Sequence, residues 1–352
     1  MEVVMRKSLL AALLLVGAMI MAACGAAAPA AEEPAGEAPA ADAGCKAGLV
    51  TDVGKINDGT FNQYAFDGLK KAEADLGIAI KYIETQAQTD YDKNIQSLVD
   101  QGCEVVVAVG FMMGDAVKAA SEKFPNTKFA IVDFAYDPAL PNVRGLVFAE
   151  DQAGYMAGAL AASMSQSGTI AAVGGIEIPP VQKFLKGYEA GAKSIKGDIN
   201  VKAVYIDSFT DRARGAEAAK SFMAEGADVI FGAGGQTGSG GIQAAAEAGA
   251  FVIGVDQDEY VTTFQNGAAP GSDKIISSAM KRVDQAVFLT IKDVVDGKFT
   301  NGVAVYDASN GGIGLASYNK ADGAIPAEVK AKMDEILKGL ADGSITTGVT
   351  LN

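Results

Sequence analysis

The two halves of this chain repeat one plan, and that repeat constrains the fold more than any other feature. LVDQGCEVVVAVG (98–110) and FMAEGADVIFGAGG (222–235) each run from an apolar helix end through Gly, a small residue and an acid into a β-branched strand that ends in Gly. One step on, KFAIVD ends at Asp133 and FVIGVD at Asp256; one step back, IKYIETQAQTD ends at Asp90 and VKAVYIDSFTD at Asp211. Between them lie DKNIQSLVDQG, GDAVKAASEKF, RGAEAAKSFMAEG and GIQAAAEAGA, all with helical periodicity. Strands alternating with helices build parallel sheets joined by right-handed crossovers. The chain is therefore read as α/β, with two doubly wound parallel-sheet lobes.

Three chain crossings between the lobes are expected, near Phe148–Gln152, Asp258–Phe264 and Thr300. KIISSAMKRVDQAVFLTIKDVVDG (274–297) reads as one long helix packed back on the first lobe. This gives lobe 1 as 45–149 plus 260–299 and lobe 2 as 150–259 plus 300–352, with a ligand cleft between them. In doubly wound sheets, ligands bind beyond the carboxyl ends of the strands.

The first residues read as a targeting segment. Arg6 and Lys7 precede an apolar run, Leu9 to Met21, too short to span a bilayer comfortably. Met21-Ala22-Ala23-Cys24 resembles a bacterial lipobox, which implies a signal peptide over 1–23 and lipid attachment at Cys24. Residues 25–44, rich in Ala, Pro, Gly and acids, cannot build a core and read as a disordered tether. An ordinary secretory signal is the alternative. Export exposes Cys45 and Cys103 to an oxidising compartment, where a disulfide between them or two buried free thiols both fit.

Composition narrows the chemistry. The chain has no His and no Trp and a formal net charge of −14. Histidine triads and histidine metal sites are excluded, stacking must come from Phe or Tyr, and nucleic acid is a poor partner for so acidic a surface. No cofactor and no metal are expected, and membrane contact is expected through the lipid only.

The cleft should collect the residues that follow each strand. From the first lobe these are Asp52, then Phe61 and Asn62 in the loop TDVGKINDGTFN (51–62), then Phe111 and Met112, then Asp133. From the second they are Gly174-Gly175, Asp207-Ser208-Phe209, Gly234-Gly235-Gln236 and Asp256. Each lobe thus offers an aromatic and a carboxylate, an inventory that suits a flat ring bearing hydroxyls. Asn62 can give and take a hydrogen bond along a base edge. Plainer roles stand beside these: Asn57 or Asp58 as a helix cap, Phe61 or Phe209 as core, Asp133 and Asp258 as turn residues.

TDVGKINDGTFNQYAFDGL, the strand-end Gly110-Phe111, SFTD, GVDQDEY and SSAMKRVD together resemble the basic membrane protein family, over residues 46–320 and in order. The resemblance implies a type I periplasmic-binding-protein fold and service to an ABC transporter permease. It implies a purine clamped by Phe61 and Phe209 and read by Asp52 and Asn62, with Asp256 and Lys281 on the ribose side. It implies a purine nucleoside receptor on the extracytoplasmic face of the membrane; a monomer is expected and, with no histidine, metal cluster or cofactor loop, no enzyme. Met112 stands where some members carry a polar residue.

Other classes compete. GAGGQTG (232–238) follows a strand, precedes a helix and is followed by Asp256, imitating a dinucleotide fingerprint; it is one residue too long for G-x-G-x-x-G. A lipoprotein that binds a sugar or another small molecule would also use Asp, Asn and aromatic rings, and an anchored adhesin would need no cleft.

Overall fold

The computed structural model describes residues 44–351. The expected signal peptide, tether and Cys24 anchor lie outside the described residues. The first sheet contains β1 (Ala47–Val53), β2 (Ile80–Thr85), β3 (Val105–Ala108), β4 (Lys128–Val132), β5 (Val143–Phe148) and β11 (Gly302–Tyr306). The second contains β6 (Thr169–Gly174), β7 (Asn200–Tyr205), β8 (Val229–Ala233), β9 (Phe251–Asp256), β10 (Ile275–Lys281) and β12 (Ile313–Leu315). Their orders are β11-β5-β4-β3-β1-β2 and β12-β10-β9-β8-β6-β7. Both sheets thus share the 2-1-3-4-5 winding, which switches direction between the first and third strands. All pairings are parallel except β10 with β12.

Helices cover both faces of each sheet, so the central strands are apolar throughout: every residue of β3 and β8 is buried. The first core takes α1 (Phe61–Leu76), α2 (Tyr91–Asp100), α3 (Gly114–Lys123) and α8 (Val283–Val295). The second lobe carries α4 (Glu150–Met164), α5 (Pro179–Ile195), α6 (Arg212–Ala224), α7 (Gly235–Glu247) and α9 (Ala327–Asp342). Cys45 and Cys103 are joined in a disulfide that links the start of β1 to the entry of β3.

The chain leaves the first sheet after Phe148 and enters α4, but the other two crossings differ from expectation. Residues 275–281 form β10 of the second sheet, not part of a helix, so the second crossing lies between Lys281 and Val283. The reason is burial on both faces: six of the seven β10 residues are buried, a pattern that erases strand alternation and passes for helix. Residues 302–306 pair with β5, so the third crossing follows Tyr306 instead of falling near Thr300. Lobe 1 therefore gathers 44–148 and 283–306, and lobe 2 gathers 149–282 and 307–351.

Helix α4 is apolar nearly all round, with eleven of its fifteen residues buried. It packs on α5 backbone to backbone. A Cβ at Gly154 or Gly158 would collide with the carbonyl of Phe184 or Tyr188, and one at Gly187 or Gly191 with that of Asp151 or Tyr155. Gly158→Ala is therefore expected to lower stability by about 1–3 kcal/mol in urea unfolding. Gly197→Ala, with nothing within 4 Å of the added carbon, should be near neutral. Equal effects at the two sites would refute the close-packing argument.

Candidate functional site

The carboxyl ends of both sheets open on one cavity with an empty volume of about 680 Å³, part of it open to solvent. Eleven of the expected residues line it: Asp52, Phe61, Asn62, Phe111, Asp133, Phe209, Gly234, Gly235, Gln236, Asp256 and Lys281. Met112 does not. Its neighbour Phe111 turns into the cavity, whereas Met112 packs on the first core and accepts a 3.1 Å hydrogen bond from Gln88 Nε2 at Sδ. Register brings these positions together. Val50 pairs with Ala108 and Gly174 with Ala233, so the loops at each switch point start level.

Asp52 follows from β1. Its backbone N–H donates to Asn62 Oδ1 at 3.0 Å, while its Oδ1 accepts from Val53 N–H at 2.6 Å and from Tyr91 O–H. Burial raises the Asp52 carboxyl to about 6 against these two hydrogen bonds. A Cβ at Gly110 would lie 2.6 Å from Asp52 Oδ2, and Gly110 has φ 127°, so only glycine fits there. Asn62 was expected to give and take; with Oδ1 engaged by Asp52, it keeps only its NH2 end, beside the Asp58 carboxylate, to give.

Asp58 caps α1, accepting from the N–H groups of Thr60, Asn62 and Gln63 at 2.9–3.1 Å. It also lines the cavity, a double role that the cap reading alone did not give. Two bonds from the second lobe fix the same loop: Gln257 Nε2 donates to Thr60 O at 3.0 Å and Thr262 Oγ1 to Gly59 O at 2.7 Å. Phe61 is thereby held as the first residue of α1 at the cavity wall.

On the opposite wall, Phe209 lies over Gly175, where any side chain would overlap its ring. The glycine-rich segment behind it is structural. Thr237 Oγ1 donates to Ser208 O at 2.8 Å and accepts from Asp211 N–H at 3.0 Å, and Gly240 meets the backbone of Arg212. These glycines admit α6 rather than a dinucleotide, while Gly234, Gly235 and Gln236 reach the cavity. Asp258 stays outside it, as a turn residue accepting from Asn319 Nδ2 and Tyr260 N–H.

The strand-end aspartates of the repeat, Asp133 and Asp256, both adopt left-handed backbone, φ 68° and 65°. Lys281, 2% exposed, reaches Asp133 at 2.7 Å and Glu150 Oε1 at 3.2 Å. Its Nζ also lies 5.1, 5.2 and 5.8 Å from the ring centroids of Phe61, Phe148 and Phe184. Burial alone would depress the Lys281 ammonium, but Asp133, Glu150 and Asp256 outweigh it and hold the charge well above its ordinary range. Burial raises Asp133 to about 6 and Asp256 to about 7, opposed in both by Lys281. Sequence reasoning missed Phe184 and Glu150. Phe184 sits one turn inside α5, beyond the strand-end residues where ligands were sought, and Glu150 looked like an ordinary first-turn acid.

The folded state thus keeps protons that the unfolded chain releases. Asp52, Asp133 and Asp256, with the buried Glu259 raised by burial to about 7, contribute stability that is present at low pH and lost as pH climbs through about 6–7. The urea midpoint is expected to be higher at pH 5 than at pH 8, and Asp256→Asn should flatten the slope. A midpoint that falls on acidification over this window would contradict the assignment.

Comparisons agree with this geometry. The Bmp family model, described as ABC transporter substrate-binding protein PnrA-like, matches residues 46–340. The ABC transporter nucleoside-binding protein BmpA of Lactococcus lactis subsp. cremoris is 34% identical over 86% of this chain and 88% of its own. Basic membrane protein A of Borreliella afzelii is 32% identical over 83% and 87%. An ABC transporter solute-binding protein from Aeropyrum pernix superposes with a TM-score of 0.78 at 24% identity, covering 86% of this chain and 92% of that one. One from Conexibacter woesei gives 0.69 at 25%, covering 86% and 98%. With two parallel-dominated six-stranded lobes of the type I periplasmic-binding-protein fold, the chain belongs to the Bmp family of PnrA-like ABC transporter substrate-binding proteins.

Proposed function

We propose that this protein captures purine nucleosides in the interlobe cavity and delivers them to an ABC transporter permease. It would work on the extracytoplasmic side of the cell membrane, as a monomer anchored by lipid at Cys24. The observation that carries the reading is the pairing of Phe61 from one lobe with Phe209 from the other around a cavity rich in carboxylates. The Lactococcus relative is named for nucleoside binding, which supports the same class.

In this reading the two phenyl rings take the faces of the base. Asp52 Oδ2 accepts from a ring N–H, and the Asn62 NH2 group donates beside it. Asp133 and Asp256 accept from ribose hydroxyls, and Lys281 donates between them. Phosphorylated ligands are disfavoured. Asp52, Asp58, Asp133 and Asp256 line the cavity, the charge of Lys281 is already matched by buried acids, and α5 opens with Pro179-Pro180, which offer no N–H. The protein binds and does not transform, so nucleoside recovered after long incubation should be unchanged.

Calorimetry with inosine, guanosine and adenosine on the full-length protein tests the class. Phe61→Ala and Phe209→Ala should each weaken binding by about 1–3 kcal/mol while costing less stability than the roughly 3–5 kcal/mol of a core Phe truncation. Inosine monophosphate should bind roughly a hundredfold or more weaker than inosine, since a like charge against an acidic site costs several kcal/mol. Heat with a hexose and none with any nucleoside would move the protein to the sugar class. In cells, Cys24→Ser should release the protein from the membrane fraction without detergent; retention would refute the lipid anchor.

A further inference from the structure

We infer that Tyr91, which does not line the cavity, is the positioning residue for Asp52, holding its carboxylate so that Oδ2 alone meets the ligand. The inference rests on the proposed contact between Asp52 and a nucleoside.

The geometry is specific. Tyr91 is the first residue of α2 and is buried in the first core at 5% exposure. Its hydroxyl donates to Asp52 Oδ1, the oxygen that also accepts from Val53 N–H at 2.6 Å. Oδ1 is thus saturated from within the protein, whereas Oδ2 has no hydrogen bond among the described residues and lies beside Gly110 at the cavity wall. The Asp52 backbone N–H is fixed as well, by Asn62 Oδ1 at 3.0 Å. The carboxylate therefore cannot rotate without losing two donors, and its free acceptor has one orientation.

The same contact controls charge. Asp52 is packed by Asn62 of α1, by Gly110 after β3 and by Tyr91 of α2; of these only Tyr91 titrates. Asp58, Asp133, Asp256 and Lys281 line other parts of the cavity. Burial and the adjacent carboxylate hold the Tyr91 phenol well above its ordinary range, so it remains a donor at every working pH. A donor stabilises the ionised acceptor, and it opposes the burial that lifts Asp52 to about 6. Removing the hydroxyl while keeping the ring would leave packing intact and raise the pH at which Asp52 loses its charge. Neighbouring positions in the repeat sharpen the point: after the shared Thr-Asp, lobe 1 has Tyr91 where lobe 2 has Arg212, whose guanidinium donates at 2.7 Å to Gln243 on α7.

The test compares full-length wild type, Tyr91→Phe, Asp52→Asn and the double variant, with inosine affinity measured across about pH 5.5 to 9. An acceptor that must be ionised loses affinity as pH falls through its titration. That loss should begin about one pH unit higher in Tyr91→Phe than in wild type, and Tyr91→Phe should add no pH dependence in the Asp52→Asn background. A second readout needs no ligand: the carboxyl carbon resonance of Asp52 should titrate about one unit higher in Tyr91→Phe. An unmoved resonance midpoint overturns the inference while the nucleoside reading stands. If Asp52→Asn leaves inosine affinity unchanged, the ligand contact of Asp52 fails, and the positioning role falls with it.

Discussion

The site depends on a single buried cation. Lys281 stands at the end of β10, where the chain crosses to the first lobe, and Glu150 opens α4 just after the first crossing. Asp133 follows β4 of the first sheet. The 2.7 Å and 3.2 Å ion pairs of Lys281 therefore tie together both lobes and two of the connections between them. Taking such charges out of water costs several kcal/mol each, and attraction repays it only in good geometry. That geometry is supplied by the walls: three phenyl rings flank the ammonium with their electron-rich faces, and Lys183 adds a second partner to Glu150 at 3.2 Å. The cluster leaves the acids in excess, because Asp256 also feels Lys281 but has no hydrogen bond with it.

That excess explains the rest of the cavity. Asp52, Asp133 and Asp256 are raised to about 6, 6 and 7 chiefly by burial; Lys281 opposes this at Asp133 and Asp256 and Lys183 at Asp133, but among the described residues only Lys281 brings a lysine to the cavity wall. The cavity wall is therefore an array of acceptors. On the proposed function, the hydroxyls and ring N–H groups of a nucleoside would satisfy that array. Stability and recognition draw on the same carboxylates in opposite directions, since protonation favours the empty fold and ionisation favours a donor-rich ligand.

Much of this was legible in the sequence for one physical reason. Parallel sheets place all their carboxyl ends on one edge, so residues after the strands had to converge. Asp52, Phe61, Asn62, Phe111, Asp133, Phe209, Gly234 and Asp256 do so because each closes a strand, follows one or opens the helix after it. Lys281 lines the cavity as well, but from a strand read as helix; family resemblance named it where periodicity failed. Phe184 escaped because a helix can carry a side chain to the edge from within its second turn, and strand-end logic does not see it. Met112 was overcounted because a tight turn after Gly110 sends successive side chains to different sides. The second crossing was misplaced because β10, buried on both faces, lost its period of two; β11 alternates and is only half-buried, so burial does not account for the third.

Closure follows from where the bonds lie. Gln257 and Thr262 of the second lobe hold the carbonyls of Thr60 and Gly59, and Lys281 holds Asp133, three of the polar contacts that join the lobes. Each is a single hydrogen bond or ion pair whose partners water could satisfy in an open form, so each contributes little net free energy, about 0.5–1.5 kcal/mol for a neutral bond. On the proposed function, a nucleoside spanning Phe61 and Phe209 adds contacts that exist only when both walls are near. It therefore binds the closed form better than the open one and shifts the population toward closed by that difference. A permease that docks against both lobes can then distinguish loaded from empty protein by shape.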